Sequence, residues 1–173
     1  MITETSDKNE LFTAIDEAVS ELVSLMSSLD ENQINSVPYQ DSWTAAQLLT
    51  HVTKSTNGMA KAMLMESKPA KRDPGEKILH LKNAFLDFSS KMESPDFIVP
   101  GEGPYGKQAV INEINKSFQQ FKEDTNKANL TDIVKGLPLG EITKLEILHF
   151  VLYHTQRHLH QMKKIYDALK MKE

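Results

Sequence analysis

Leu11, Ile15, Ala18, Leu22, Leu25 and Leu29 recur at steps of three and four, the spacing that gathers side chains on one face of a helix. Asp7, with Glu10 three residues on, has the form of a capping box, so the pattern predicts a first helix from Asp7 to Leu29. Asp30 to Ser42 contains Pro38 and no sustained period, and reads as a connection that delivers Trp43 to the next element. Thr44 and Gln47 make a second box, after which Leu48, Val52, Met59 and Met63 carry an apolar face to about Glu66. Ser67 to Gly75 is proline-containing and charged, the composition of a surface loop. Asp73, Pro74 and Glu76 are helix-start signals, and Ile78, Leu81, Phe85, Phe88 and Met92 extend the third helix up to Ser94 and Pro95. Ser94 to Gln108, rich in proline and glycine, reads as a long loop. Val110, Ile114, Phe118 and Phe121 mark a further helix to about Asn126. Gly136, Pro138 and Gly140 punctuate the next stretch, and Thr143 with Glu146 opens a last helix to about Lys170.

No strand-period pattern, internal repeat or low-complexity segment is visible, so the predicted class is all-α. Amphipathic helices must bury their faces on one another, and a four-helix bundle occupying residues 1–173 as a single domain does this. The loops linking the first and second helices, and the last two, predict antiparallel neighbours. The long stretch between the second helix and Val110 allows a crossover carrying its own helix, which predicts up-down-down-up order. The length of 173 residues with 39% hydrophobic and 25% charged positions is enough for one buried core. The absence of cysteine removes disulfides, thiolate zinc sites, iron–sulfur clusters and cysteine nucleophiles. Twenty Lys and Arg against 24 Asp and Glu leave a net charge of -4, which argues against nucleic acid as a partner. No apolar run reaches the ~20 residues that span a bilayer, and Met1 to Leu11 has neither the basic start nor the apolar centre of a signal peptide. The expected setting is cytoplasmic, with no membrane partner.

The histidines of the last helix then change the picture. Leu145, Leu148, Leu152, Leu159, Met162, Tyr166 and Leu169 form its core-facing sector, and Ile147, Val151, His154, His158, Gln161 and Ile165 an adjoining, partly buried stripe. His149 and His160 fall on the opposite side, expected to be wet, and His80 reads as a solvated or boundary residue. His154 and His158 are one turn apart and can chelate one ion. His51, one turn into the second helix beside Leu48 and Val52, supplies the third ligand of a site with open positions between facing helices. Imidazole suits Zn, Ni, Fe or Cu alike, so the ligands fix only a divalent metal. A pair of neutral, hydrogen-bonded core histidines is the bland alternative, and Trp43 before a cap fits a packing anchor.

Three pieces of sequence resemble the DinB-like (DinB/YfiT) superfamily of metal-binding helical bundles. Ser42-Trp43-Thr44, then Gln47-Leu48-Leu49 and His51, is similar to the family's tryptophan, cap and first metal histidine. His154-Thr155-Gln156-Arg157-His158-Leu159-His160-Gln161-Met162 is similar to its closing pattern of two histidines four apart with a glutamine three further on. The third piece is the whole-chain layout with its long insertion before the Val110 helix. The resemblance implies a divalent metal, often nickel or zinc, on His51, His154 and His158. It also implies reactions of the thiol-dependent transferase kind, using a small thiol such as bacillithiol and an electrophile, or of metal-dependent hydrolases. Thr155, Gln156 and Arg157 stand where several relatives carry an acid or histidine, which leaves a base from that segment in doubt. A hydrolase would want such a base, with Glu17 or Glu21 as candidates. The expected function is therefore thiol S-transfer, with hydrolysis and a non-catalytic metal module as alternatives. Gln161 and Trp43 are the expected neighbours of the ligands or substrate, and a homodimer is an expected assembly.

Overall fold

A computed structural model describes residues 7–173. Asp7 accepts a hydrogen bond from the Asn9 amide at 3.2 Å and starts α1, Lys8–Ser27, whose buried face is Leu11, Ile15, Ala18, Val19, Leu22 and Met26. The cap is a single bond rather than the box suggested by Glu10. The connection after it is not wholly irregular: Asp30 and Gln33 form a reciprocal capping box and nucleate a one-turn helix, α2, Glu31–Ile34. One turn is too short to show a hydrophobic period, although its cap signal stands in the sequence. Thr44 and Gln47 cap α3, Ala45–Leu64, as their spacing predicts.

The next helix, α4, is Ile78–Leu86, and so shorter than the Asp73 to Met92 span predicted. At its front Asp73 turns back to accept the Gly75 amide. At its end the Asp87 carboxylate accepts from the backbone and hydroxyl of Ser89, the local competition with helix that Asp and Ser offer. Phe88 and Met92, read as helix-face residues, stand 42% and 43% exposed in the segment beyond. The long loop contains a single 3-10 turn at Asp96–Ile98 before α5, Lys107–Lys127. The last helix, α6, is Lys144–Lys170 and opens with the Thr143–Glu146 box.

A small sheet, absent from the sequence reading, joins the helices at one end. Strand β1 is Lys68–Pro69, β2 Asp132–Leu137 and β3 Gly140–Thr143, antiparallel in the order β1-β2-β3, with Lys68 opposite Ile133 and Val134 opposite Ile142. Gly136 and Gly140 take positive φ around the turn, at 84° and 76°, which glycine tolerates without strain. Strands this short bury only Val134 and Ile142 among their apolar residues, too few positions for a period of two to be recognised.

Cross-helix contacts fix the bundle's directions. Glu21 of α1 pairs with Lys163 of α6, and past the C-terminal ends of both helices Gln33 of α2 meets Glu173, so α1 and α6 are parallel. Asp16 pairs with Lys122 while Lys107 reaches the Leu29 carbonyl, so α5 opposes α1. His51 meets His154 and His158 while Lys144 reaches the Met65 carbonyl, so α3 opposes α6. α3 and α5 therefore run parallel, joined midway by Ser117 to the Thr53 carbonyl. The bundle is up-down-down-up, with α4 in the crossover. One expectation is corrected: α1 and α3, and likewise α5 and α6, are antiparallel but lie across the diagonal, because α1 packs mainly on α6 and α3 packs on α5 and α6. The connection holding α2 spans that diagonal at the bundle end, where Asn35 and Tyr105 exchange hydrogen bonds of 2.9 and 2.7 Å.

α4 and the sheet lie on the face of α6 that the bundle leaves open, so every residue from Glu146 to Thr155 is buried. That covering is fastened by Glu146, whose side chain is wholly buried. Arg72 grips it with two bonds of 2.7 and 2.8 Å, and the amides of Lys77 and Thr143 donate to the same carboxylate at 2.8 and 2.9 Å. Burial, the largest single effect, pushes this carboxyl up; Arg72 and the two amides together outweigh it and hold the group below its usual value. A carboxylate with four donors is satisfied; one stripped of its guanidinium is a buried, half-paired charge. Arg72→Ala should cost about 3 kcal/mol in urea unfolding, and a loss below about 0.5 kcal/mol would show that the covering does not depend on this pair. Because the folded pKa is depressed, Glu146 contributes stability that is present above its unfolded value and is lost as pH falls through the folded one.

Candidate metal centre

His51 sits in the second turn of α3, and His154 and His158 are one turn apart on α6. Antiparallel packing of the two helices brings all three rings to one point. The Nε2 atoms are 3.2 Å (His51 to His154), 3.0 Å (His51 to His158) and 3.1 Å (His154 to His158) apart. All three residues are buried.

The opposite ring nitrogens decide what those Nε2 atoms can do. His51 Nδ1 lies 3.0 Å from the Ile98 carbonyl and His158 Nδ1 lies 3.0 Å from Gln161 Oε1. An amide oxygen only accepts, so in both rings Nδ1 carries the proton and Nε2 of the neutral ring presents a lone pair. Two lone pairs thus face each other at 3.0 Å, and a proton on the His154 ring could serve only one of them. A cation at the common point satisfies all three. Two nitrogens bound to one zinc ion at 2.0 to 2.1 Å stand about 2.8 to 3.4 Å apart for octahedral to tetrahedral angles, and the observed separations fall in that interval. The donor set fits a divalent ion, and the oxygen partners at Nδ1 are the outer hydrogen bonds that fix ligand tautomers in metal sites.

Burial also keeps the rings neutral. It is the main cause that lowers His51 below 6.5, lowers His154 well below that value and brings His158 to about 3. Mutual repulsion adds to it at His154 and His158, and Gln161 opposes it at His158. A ligand needs the unprotonated imidazole, so the site is ready for metal at neutral pH without displacing protons.

Trp43 packs its ring 4.8 Å from that of His51, and Phe150 and Phe85 lie 5.2 and 6.1 Å from His154. These walls belong to a cleft of about 1160 Å³ that the three histidines line together with Gln161. Two expectations for other residues are corrected. His149 is not on a wet face but 2% exposed, with Nδ1 3.2 Å from the Tyr153 hydroxyl, because α4 and the sheet cover that side of α6. His160 is half-buried and stacks face to face on Phe88, with centroids 4.0 Å apart. His80 is exposed as expected. Glu17 and Glu21 are exposed on α1, and Glu21 pairs with Lys163; neither lines the cleft. Sequence reading missed Arg157, whose guanidinium bonds the carbonyls of Phe85, Asp87 and Ser90 and so ties the segment after α4 against the site. Its signal was only its position between two ligand candidates.

Four helices in up-down-down-up order, with a buried histidine triad that can hold a metal ion between two of them, define the class. Residues 14–162 match the DinB superfamily over most of the chain, and the chain belongs to that superfamily. It is 23% identical over 148 residues to YuaE of Bacillus subtilis (strain 168), described as an uncharacterized protein, covering 83% of this chain and 90% of YuaE. The crystal structure of TT2238, a four-helix bundle protein, superposes with a TM-score of 0.59 at 14% identity, over 91% of this chain and 98% of TT2238. That likeness is one of fold. Among the described residues no helix is long and apolar enough to cross a membrane.

The neutral triad has a thermodynamic consequence. In the unfolded chain these histidines take up protons near pH 6.5, while the folded chain resists protonation, so metal-free protein loses stability as pH falls below that value. His158→Leu should reduce the slope by about 1.2 kcal/mol per pH unit between about pH 6 and 5, measured by urea unfolding in the presence of a chelator. An unchanged slope would mean that the ring is not buried in its neutral form.

Proposed function

We propose that this protein is a metal-dependent thiol S-transferase, with His51, His154 and His158 holding a divalent ion, zinc or nickel, and a small thiol and an electrophile as its substrates. The observation that carries the reading is the makeup of the triad's surroundings: among the described residues the cluster of potential ligands within 4.8 Å contains three histidines and no carboxylate. A hydrolase of the metalloprotease kind needs a carboxylate beside the metal to move protons. A thiol asks less, since loss of its own proton makes it a nucleophile.

A divalent ion on three neutral imidazoles would supply Lewis acidity that lowers the pKa of a thiol or a water entering its open positions. The chain's own residues do the rest. Ile98 and Gln161 hold the rings by their Nδ1 protons, Trp43 packs on His51, and Phe85 and Phe150 pack their rings against His154. In the transfer the thiol sulfur forms a bond to the electrophilic carbon, the bond to the leaving group breaks, and the thiol proton ends on that group or in solvent.

The decisive experiment incubates zinc- or nickel-loaded protein with 1-chloro-2,4-dinitrobenzene, with and without bacillithiol, and in parallel with p-nitrophenyl acetate alone. Thioether formation that requires both protein and thiol is expected. Ester hydrolysis independent of thiol would favour the hydrolase reading instead, and no turnover with either would leave a metal-binding module. Gln161→Ala should lower metal affinity or turnover by about 10-fold with the fold intact, whereas His158→Ala should abolish stoichiometric metal binding in elemental analysis. Equal metal content and rate in the Gln161 variant would remove the glutamine from the site.

A further inference from the structure

The cleft over the triad has a charge opposite to that of the chain. Although the sequence is net -4, Lys54, Lys61, Lys91, Arg157 and Lys164 line this cleft against two carboxylates, Asp41 and Glu93. Lys54 and Arg157 are engaged with backbone carbonyls. Lys91 and Lys164 are exposed and belong to none of the ion pairs found among the described residues. The contrast with the adjacent residue is direct, since Lys163 pairs with Glu21 of α1 while Lys164 lines the cleft.

Both of these cations line the same cleft as a group of apolar side chains. Lys164 follows His160 by one turn on the same helical face, Lys91 follows Phe88 by three residues, and Phe88 and His160 are stacked. Phe88, Met92 and Phe97, at 42%, 43% and 66% exposed, also line the cleft. Large apolar side chains left open together at a cleft mouth mark a binding surface. Lys164 lies six residues beyond His158, about 9 Å along α6, so an acid group there and a reacting atom at the triad would be separated by a body of that length.

We propose that this arm of the cleft binds an amphipathic organic anion, with its carboxylate, phosphate or sulfonate between Lys91 and Lys164 and its apolar body along Phe88 and Phe97 towards the triad. This deepens the thiol-transfer reading, on which it rests for the identity of the anion as the electrophilic substrate; the acid group itself is unchanged in the reaction. Complementary charge places such a ligand, while apolar contact supplies much of its affinity.

Trp43 is the single tryptophan and lines the cleft, so its fluorescence reports occupancy. Octanoate, octanol and octyltrimethylammonium share one tail and differ in charge. Titrated into zinc-loaded and chelator-treated protein, octanoate should bind at least 10-fold more tightly than either of the others, with or without metal. The double variant Lys91→Glu, Lys164→Glu should weaken octanoate at least 10-fold and leave octanol and the urea midpoint unchanged. Equal affinity for the three probes, or octanoate binding insensitive to charge reversal, would overturn the proposal. Octanoate binding that vanishes with the metal would do so too, since the acid group would then be a metal ligand. Phosphatidylglycerol vesicles should not sediment the protein; vesicle binding without octanoate binding would replace the small anion with a membrane surface. Because the chelator-treated protein has no transferase chemistry to lose, octanoate binding there survives failure of the thiol-transfer reading. Thiol transfer without octanoate binding sinks this inference alone.

Discussion

The candidate site depends on one constraint: α3 and α6 must pack antiparallel in a single register. Helical residues four apart can be moved past a neighbouring helix only in steps of a turn, about 5.4 Å, and a slip of that size would part His51 from both histidines of α6. The register is held at the far end by Lys144 reaching the Met65 carbonyl, and along its length by a core that includes Leu48, Val52, Leu148 and Val151 at no more than 2% exposure. Close-packed interiors resist such slips because each displaced side chain loses its contacts at once. The Nε2 triangle of 3.0 to 3.2 Å sides is thus a product of core packing, and the polar bonds at Nδ1 only orient rings already delivered there.

Polar groups beside that core are kept by specific partners. Glu146 is matched by Arg72 and two amides, and the segment after α4 is matched by Arg157 through three carbonyls. The two arginines hold opposite ends of one covering. Arg72 fastens the loop and sheet over the start of α6, and Arg157 fastens the exit of α4 beside the histidines. Together they account for a helix buried on all sides over Glu146 to Thr155, although its sequence is amphipathic. Arginine suits both places because its planar fork donates several bonds in fixed directions.

Much of this was legible along the chain. The capping boxes at Thr44 and Thr143 started helices where their spacing said, because a cap is a local event between residues three apart. The His154 and His158 pair was legible for the same reason, since one helical turn relates them. His149 and the ends of α4 were misread because exposure on a helix face and the stopping point of a short helix are decided by what packs on them. The sheet was missed because its strands are stabilised by pairing across long sequence distances, with Lys68 opposite Ile133, and no window of sequence contains both partners.

The sequence by itself determined the course of the main helices, the absence of cysteine chemistry, a linker long enough for α3 and α5 to run parallel, and three histidines as candidate metal ligands with Gln161 as a candidate neighbour. Periodicity, composition and loop length are properties of the chain alone. Tertiary structure decided that α1 and α3 lie across a diagonal, that two imidazole lone pairs meet at 3.0 Å, and that lysines gather over a histidine-lined cleft in an acidic protein. Those facts depend on which faces meet after every helix has buried its apolar stripe, and burial is a competition among all the elements at once.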